Sequence, residues 1–189
     1  SSSSQLVENL VVTLDADDTY EGLPFKVIGV LRWATTQTTD PYDYVFKVDV
    51  DVLVLPEIFL PYIKRVAIDR GVDWLGSVSV HKRVSGEEGV SGAEFQCNIE
   101  REWHFGKCSR EWLNSKPYAG VTAASVDGGA GYLLSRRAAA AVARHAEVHA
   151  QEFERDRFVN LYEDLLVSHT LVKNGFLPTD YSGFSPYTN

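Results

Sequence analysis

Tyr44-Val45-Phe46-Lys47-Val48-Asp49-Val50-Asp51 decides how the rest of the chain is read. An apolar run ends there in two carboxylates at i and i+2. Side chains alternate along a strand, so at a strand end Asp49 and Asp51 would face the same way and share one ligand. Hard oxygen donors suit Mg²⁺ or Mn²⁺, the cations that accompany phosphate. Strand ends are also where open α/β sheets bind their ligands. Read alone, the two acids fit a plain turn closing a strand equally well; their surroundings separate the two readings.

Toward the N-terminus, Leu10 to Leu14 reads as a short buried strand, and Leu23 to Thr35 as an amphipathic helix with Pro24 near its start. Val27, Ile28, Leu31 and Trp33 supply the buried side of that helix. Toward the C-terminus, Pro56 opens a helix to about Ile68, with Pro61 expected to kink it, and Trp74 to Val80 reads as a third strand. Residues 81 to 120 are polar and without period, an excursion over one face of the sheet of the kind that carries acceptor binding. Asp127-Gly128-Gly129-Ala130-Gly131 then leads into Tyr132-Leu133-Leu134-Ser135. Arg136 to His149 is an alanine-rich helix, and Leu161 to Asn174 another, ended by Gly175. Alternating strands and helices predict one α/β domain over residues 8–189, behind a disordered leader at 1–7.

Of the 189 residues, 44% are hydrophobic and 23% charged, ordinary for a globular protein with a substantial core. The formal net charge of −8 argues against a nucleic-acid or anionic-membrane surface. An acidic protein that binds a nucleotide phosphate would use a metal as the bridge. No apolar run approaches the length that spans a bilayer. Cys97 and Cys108 are eleven positions apart, which matches no zinc pattern and leaves a loop disulfide or two unrelated thiols open. The five histidines form no ligand cluster. Trp103 and Trp112 fit either stacking on a sugar ring or packing under a loop.

Four blocks in order resemble glycosyltransferase family 31, the β1,3-galactosyl-, N-acetylglucosaminyl-, fringe and core-1 galactosyltransferase group. Asp15-Ala16-Asp17-Asp18-Thr19-Tyr20-Glu21-Gly22-Leu23-Pro24-Phe25-Lys26 is similar to its D-F-x-D-[ST]-Y-x-N-L-T-x-K stretch. Lys47-Val48-Asp49-Val50-Asp51 is similar to its K-x-D-D-D, with Val50 in place of the middle acid. Gly128 to Ser135 is similar to G-G-A-G-[FY]-x-[IL]-S. Tyr162-Glu163-Asp164-Leu165-Leu166-Val167 resembles E-D-V-x-x-G, with Ser168 in place of the glycine.

The resemblance implies a GT-A-type α/β/α sandwich with a mixed, mainly parallel sheet. It also implies an inverting, metal-dependent transfer of galactose or an N-acetylhexosamine from a UDP-sugar to a glycan hydroxyl, with the β1,3 linkage of this group. Asp51, with Asp49, would hold Mn²⁺ or Mg²⁺, and Lys26 would sit with them on the donor side. Asp164 would be the general base, on the face opposite the leaving group. Gly128, Gly129 and Gly131 would let backbone approach the sugar, Tyr132 would offer it an apolar face, and Glu163 would touch substrate. A secretory-pathway, Golgi-lumen location as a type II membrane protein follows from the resemblance alone. The family's upstream strand and R-x-x-W region, and its metal-binding histidine well after the E-D block, have no counterpart here. Only seven residues precede Glu8 and twenty-five follow Asp164, so the chain is expected to be a trimmed piece of a longer enzyme.

Two rivals remain. Leu10 to Thr19 also resembles the strand-then-DxDxT opening of haloacid-dehalogenase-type phosphatases, with Asp15 as nucleophile and Asp17 as acid/base. No later G-D-x-x-x-D segment follows it. Val50, Ser168 and the missing ends also fit a degenerate sugar- or nucleotide-binding domain.

Overall fold

The computed structural model describes residues 15–36, 42–80, 97–122, 124–151 and 161–181; the expected strand at Leu10–Leu14 and the leader at 1–7 lie outside them. Along the chain run α1 (Leu23–Thr36), β1 (Tyr44–Lys47), α2 (Pro56–Ile63), β2 (Trp74–Gly76), β3 (Val78–Val80), β4 (Cys97–Arg101), β5 (Tyr118–Thr122), β6 (Ala124–Val126), β7 (Tyr132–Ser135), α3 (Arg136–Val148), α4 (Glu163–Lys173) and β8 (Thr179–Asp180). Four strands make the main sheet, in the order β1-β7-β2-β8. β1 and β2 both pair antiparallel with β7, and β8 pairs parallel with β2. Three of these four strands therefore run one way and β7 runs against them; the sheet is mixed, as expected, but two of its three described pairings are antiparallel.

Strand alternation sorts the core into two layers. Trp74, Tyr132 and Leu134 face Val27, Ile28 and Leu31 of α1, Ala138, Ala139 and Val142 of α3, and Leu166, Val167 and Leu171 of α4. Their neighbours Leu75 and Leu133 face the other way, onto Ile63 and Ala67 with Phe46, Phe59 and Tyr62 around them. Among the described residues, helices thus cover both faces of the main sheet. A third cluster, Cys108, Leu113, Tyr118, Leu161, Tyr162 and Leu165, fastens the excursion to the start of α4.

Three local readings need correction. The single strand at Trp74–Val80 is two: β2 stays in the main sheet, while β3 pairs with β6. The break follows Gly76, where a Cβ would lie 3.0 Å from Val126 Cγ1, so the glycine lets the main sheet and the β3–β6 pair close on one another. The aperiodic excursion contains a regular antiparallel pair, β4 with β5, too short and too polar to show alternation. In α2, Pro61 lacks the amide an α-turn would use, and Lys64–Ile68 continues as a wider π-helical turn.

Candidate active site

Lys47 closes β1 and shares a sheet face with Val45, the face under α1, α3 and α4. Its ammonium donates to Asp49 Oδ1 at 2.6 Å and to the Gly128 carbonyl at 2.9 Å, and lies 3.2 Å from Glu163 Oε2. One side chain therefore ties the end of β1 to the glycine turn before β7 and to the first turn of α4. Burial works against the Lys47 charge, but Glu163 and Asp49 outweigh it and hold the ammonium above the ordinary lysine range. Glu163 is 3% exposed, accepts a short hydrogen bond from the Tyr132 hydroxyl, and is pushed up by burial against the pull of Lys47.

Asp49 and Asp51 both line a cavity of about 500 Å³, but not by strand alternation. β1 stops at Lys47, and Val52 N–H donates to Asp49 O at 3.1 Å, so the two acids sit on a turn. The reason is local: Lys47 turns inward to its three partners, and the chain leaves the sheet at that point. Val50 is fully exposed on the turn, so its departure from the family acid removes no wall of this cavity.

Across the cavity stands Asp164, near the N-terminus of α4. Burial raises its carboxyl above the ordinary range, opposed first by Arg101 and then by the Leu165 and Gly128 amides. Arg101 Nη1 lies 3.9 Å from Asp164 Oδ2, and Leu165 N–H donates to Oδ1 at 2.9 Å. Gly128, Gly129 and Ala130 form the floor. A Cβ on Gly128 would lie 3.0 Å from Asp164 Cβ, so this glycine is required for the turn to meet α4.

Three residues expected to touch substrate are placed differently from that expectation. Tyr132 is fully buried in the core with its hydroxyl on Glu163, so it offers no face to a ligand. Glu163 lines the cavity, but its carboxylate is taken up by the Lys47 ammonium and the Tyr132 hydroxyl. Gly131 does not line the cavity; at φ +88 it makes the turn into β7, with the Lys47 carbonyl 2.8 Å from where a Cβ would sit. Lys26 pairs with Asp18 and lines a separate cleft of about 640 Å³ between α1 and β1, which shares Lys47, Asp49 and Asp51 with the first. Asp15 and Asp17 are exposed and line neither space. Ser168, in place of the family glycine, is buried, and its hydroxyl accepts from Val126 N–H at 3.4 Å, a structural tie outside the cavity lining. Cys108 is a buried free thiol, pushed up to about 11 by burial.

The residues that sequence reasoning missed are Asp127 and Arg101. Asp127 lines the cavity, and its Oδ1 accepts from Gly129 N–H at 3.0 Å, shaping the glycine turn; an Asp-Gly-Gly run is a turn signal that pointed to it. Arg101 meets Asp164 across 63 positions of chain, and nothing local marks it.

Among the described residues, no three His, Cys, Asp or Glu side chains form a ready metal cage, and no helix is long and apolar enough to cross a membrane. No curated protein matches the chain closely enough to be counted a relative. The galactosyltransferase family model, in contrast, matches residues 3–170, and the α/β/α sandwich is consistent with a GT-A-like glycosyltransferase. That match takes in Asp15 to Thr19 and leaves the phosphatase reading without a basis. With all four blocks inside one match that spans most of its length, the chain belongs to the galactosyltransferase family, glycosyltransferase family 31: a glycosyltransferase domain for which the family implies a nucleotide-sugar donor and a glycan acceptor.

Proposed function

We propose that this domain transfers a hexose, galactose or an N-acetylhexosamine, from a UDP-sugar to a glycan hydroxyl, with inversion and formation of a β1,3 linkage. One observation carries the reading: the Asp49–Asp51 turn and the Asp164 carboxylate face a single cavity floored by Gly128 to Ala130. Asp164 takes the proton of the acceptor hydroxyl as it attacks, and its burial keeps water from competing for it. Lys47 fixes Asp49 relative to the glycine floor, while Glu163 fixes Lys47.

The donor set suits a divalent cation. Lys47 occupies Asp49 Oδ1, leaving Oδ2 free of that contact, and Asp51 is exposed on the same turn. Mg²⁺ and Mn²⁺ are held by one or two carboxylates plus substrate phosphates, so a complete protein cage is not needed. Asp51 and Asp49 would hold the ion, which would neutralise charge on the departing diphosphate. The apolar cleft between α1 and β1, with Lys26 at its edge, is the donor side of this reading. Residence in the Golgi lumen belongs to the same proposal and rests on the family.

The test is UDP release from UDP-galactose and UDP-N-acetylglucosamine with Mn²⁺ and a panel of glycoside acceptors. EDTA should abolish turnover and added Mn²⁺ restore it. Asp51→Ala should be inactive, and Asp164→Asn should lose about 10²- to 10⁴-fold in kcat. Full activity in Asp164→Asn, or an α-linked product, would refute the assignment.

A further inference from the structure

We propose that Trp103 is the platform on which a neutral acceptor pyranose stacks beside Asp164. This deepens the transferase reading of the cavity and rests on it. Trp103 lines the same cavity as Asp164 and is 66% exposed, leaving much of the indole of a large apolar side chain open to the solvent. Its backbone is fixed. Phe105 N–H donates to Glu102 O at 3.0 Å and Lys107 N–H to His104 O at 2.9 Å, closing the turn on either side. The next residue, His104, is fully buried, 2.8 Å from the Tyr162 hydroxyl and 3.0 Å from the Lys116 carbonyl. Tyr162 directly precedes Glu163 and Asp164, so the indole and the carboxylate are held by one packed unit.

Arg101 joins them a second time. Its guanidinium lies 5.2 Å from the Trp103 ring centroid and 3.9 Å from Asp164. An exposed ring on a rigid backbone, one side against a cation, is preorganised to receive the C–H face of a sugar and to set its hydroxyl toward Asp164. Five acids (Asp49, Asp51, Asp127, Glu163 and Asp164) against two lysines on the cavity wall disfavour an anionic sugar.

The experiment compares Trp103→Ala and Trp103→Phe with the unaltered chain, using UDP-galactose, Mn²⁺ and methyl β-D-galactopyranoside or methyl β-D-glucuronide. Trp103→Ala should raise the galactoside KM about tenfold or more, the equivalent of about 1.4 kcal/mol. The melting temperature should stay unchanged, and Trp103→Phe should recover most of the loss in acceptor KM. Saturation-transfer NMR with UDP and Mn²⁺ should show galactoside protons saturated from the protein, and lose that signal in Trp103→Ala. An unchanged KM, a parallel rise in donor KM, or equal use of the glucuronide would overturn the proposal. Failure of both UDP-galactose and UDP-N-acetylglucosamine to turn over would count against the transferase reading alone, because the NMR arm still decides whether Trp103 carries a sugar.

Discussion

Replacing Lys47 by methionine keeps the length and most of the volume of the side chain but removes the one charge that three segments share. In the folded protein the Lys47 ammonium sits 2.6 Å from Asp49, 2.9 Å from the Gly128 carbonyl and 3.2 Å from Glu163. Asp49 is 44% exposed and can return to water; Glu163, at 3%, cannot. The variant therefore strands a buried carboxylate with only the Tyr132 hydroxyl for company. Breaking a buried pair from one side costs about 3–5 kcal/mol. For a domain of this size that lowers the melting temperature by about 6–20 °C.

Glu163→Gln should cost much less, about 1 kcal/mol, because Lys47 keeps Asp49 and Gly128. The double variant should then be more stable than Lys47→Met alone, with a coupling energy of about 2 kcal/mol or more. The pH dependence has a definite sign. Burial already raises Glu163, and loss of Lys47 raises it further, so folding favours its protonated form. The deficit of Lys47→Met should be smallest below about pH 4.3, the ordinary glutamate value, and grow as pH rises through the folded-state pKa. Urea melts between pH 4 and 8 measure all of this. A loss under about 1 kcal/mol at neutral pH, or additive single variants, would refute the reasoning.

Arg101→Gln should move the acid limb of the kcat/KM profile to higher pH, because burial raises Asp164 and Arg101 is the first group opposing it; an unmoved limb would mean another base. Gly131→Ala should cost more than about 2 kcal/mol in a urea melt, since its φ of +88 and the Lys47 carbonyl 2.8 Å from the new Cβ both resist it. Gly175→Ala, at φ +80 with nothing within 4 Å, should cost only about 1 kcal/mol, so equal losses would show the close approach to be unimportant. Glu21→Ala removes an acceptor from Ser109 N–H at 3.1 Å and from its hydroxyl at 2.5 Å, and should cost about 1.5–3 kcal/mol at neutral pH. Burial pushes Glu21 up, yet these hydrogen bonds win and hold it below the ordinary range. Its contribution is therefore present above the ordinary glutamate value and lost as pH falls through the lower folded one, so the two proteins' stabilities should converge in acid.

What the sequence makes legible, and what it does not, has a physical pattern. Helix α1 is readable because Val27, Ile28 and Leu31 repeat at helical spacing and meet one core; α3 is readable because alanine favours a helix wherever it packs. Both signals are local, carried by residues within a few positions of one another. The site is built from the opposite kind of relation. Lys47 meets Gly128 across 81 positions and Arg101 meets Asp164 across 63, and no window along the chain contains either pair. Acids that the strand pattern places on a common face share the cavity for a different reason: a turn, fixed by a lysine the pattern would leave unremarked. Tyr132 shows the converse, since an aromatic next to a glycine turn looks exposed to a ligand until β7 proves to be the middle strand between β1 and β2. Interior position in a sheet is a property of topology, and it decides whether a motif residue touches substrate or holds up the one that does. The cavity residues that the proposed transfer would use, Asp49, Asp51, Asp164 and Trp103, all lie just beyond or at the very start of a regular element, where backbone hydrogen bonding no longer dictates which way a side chain points.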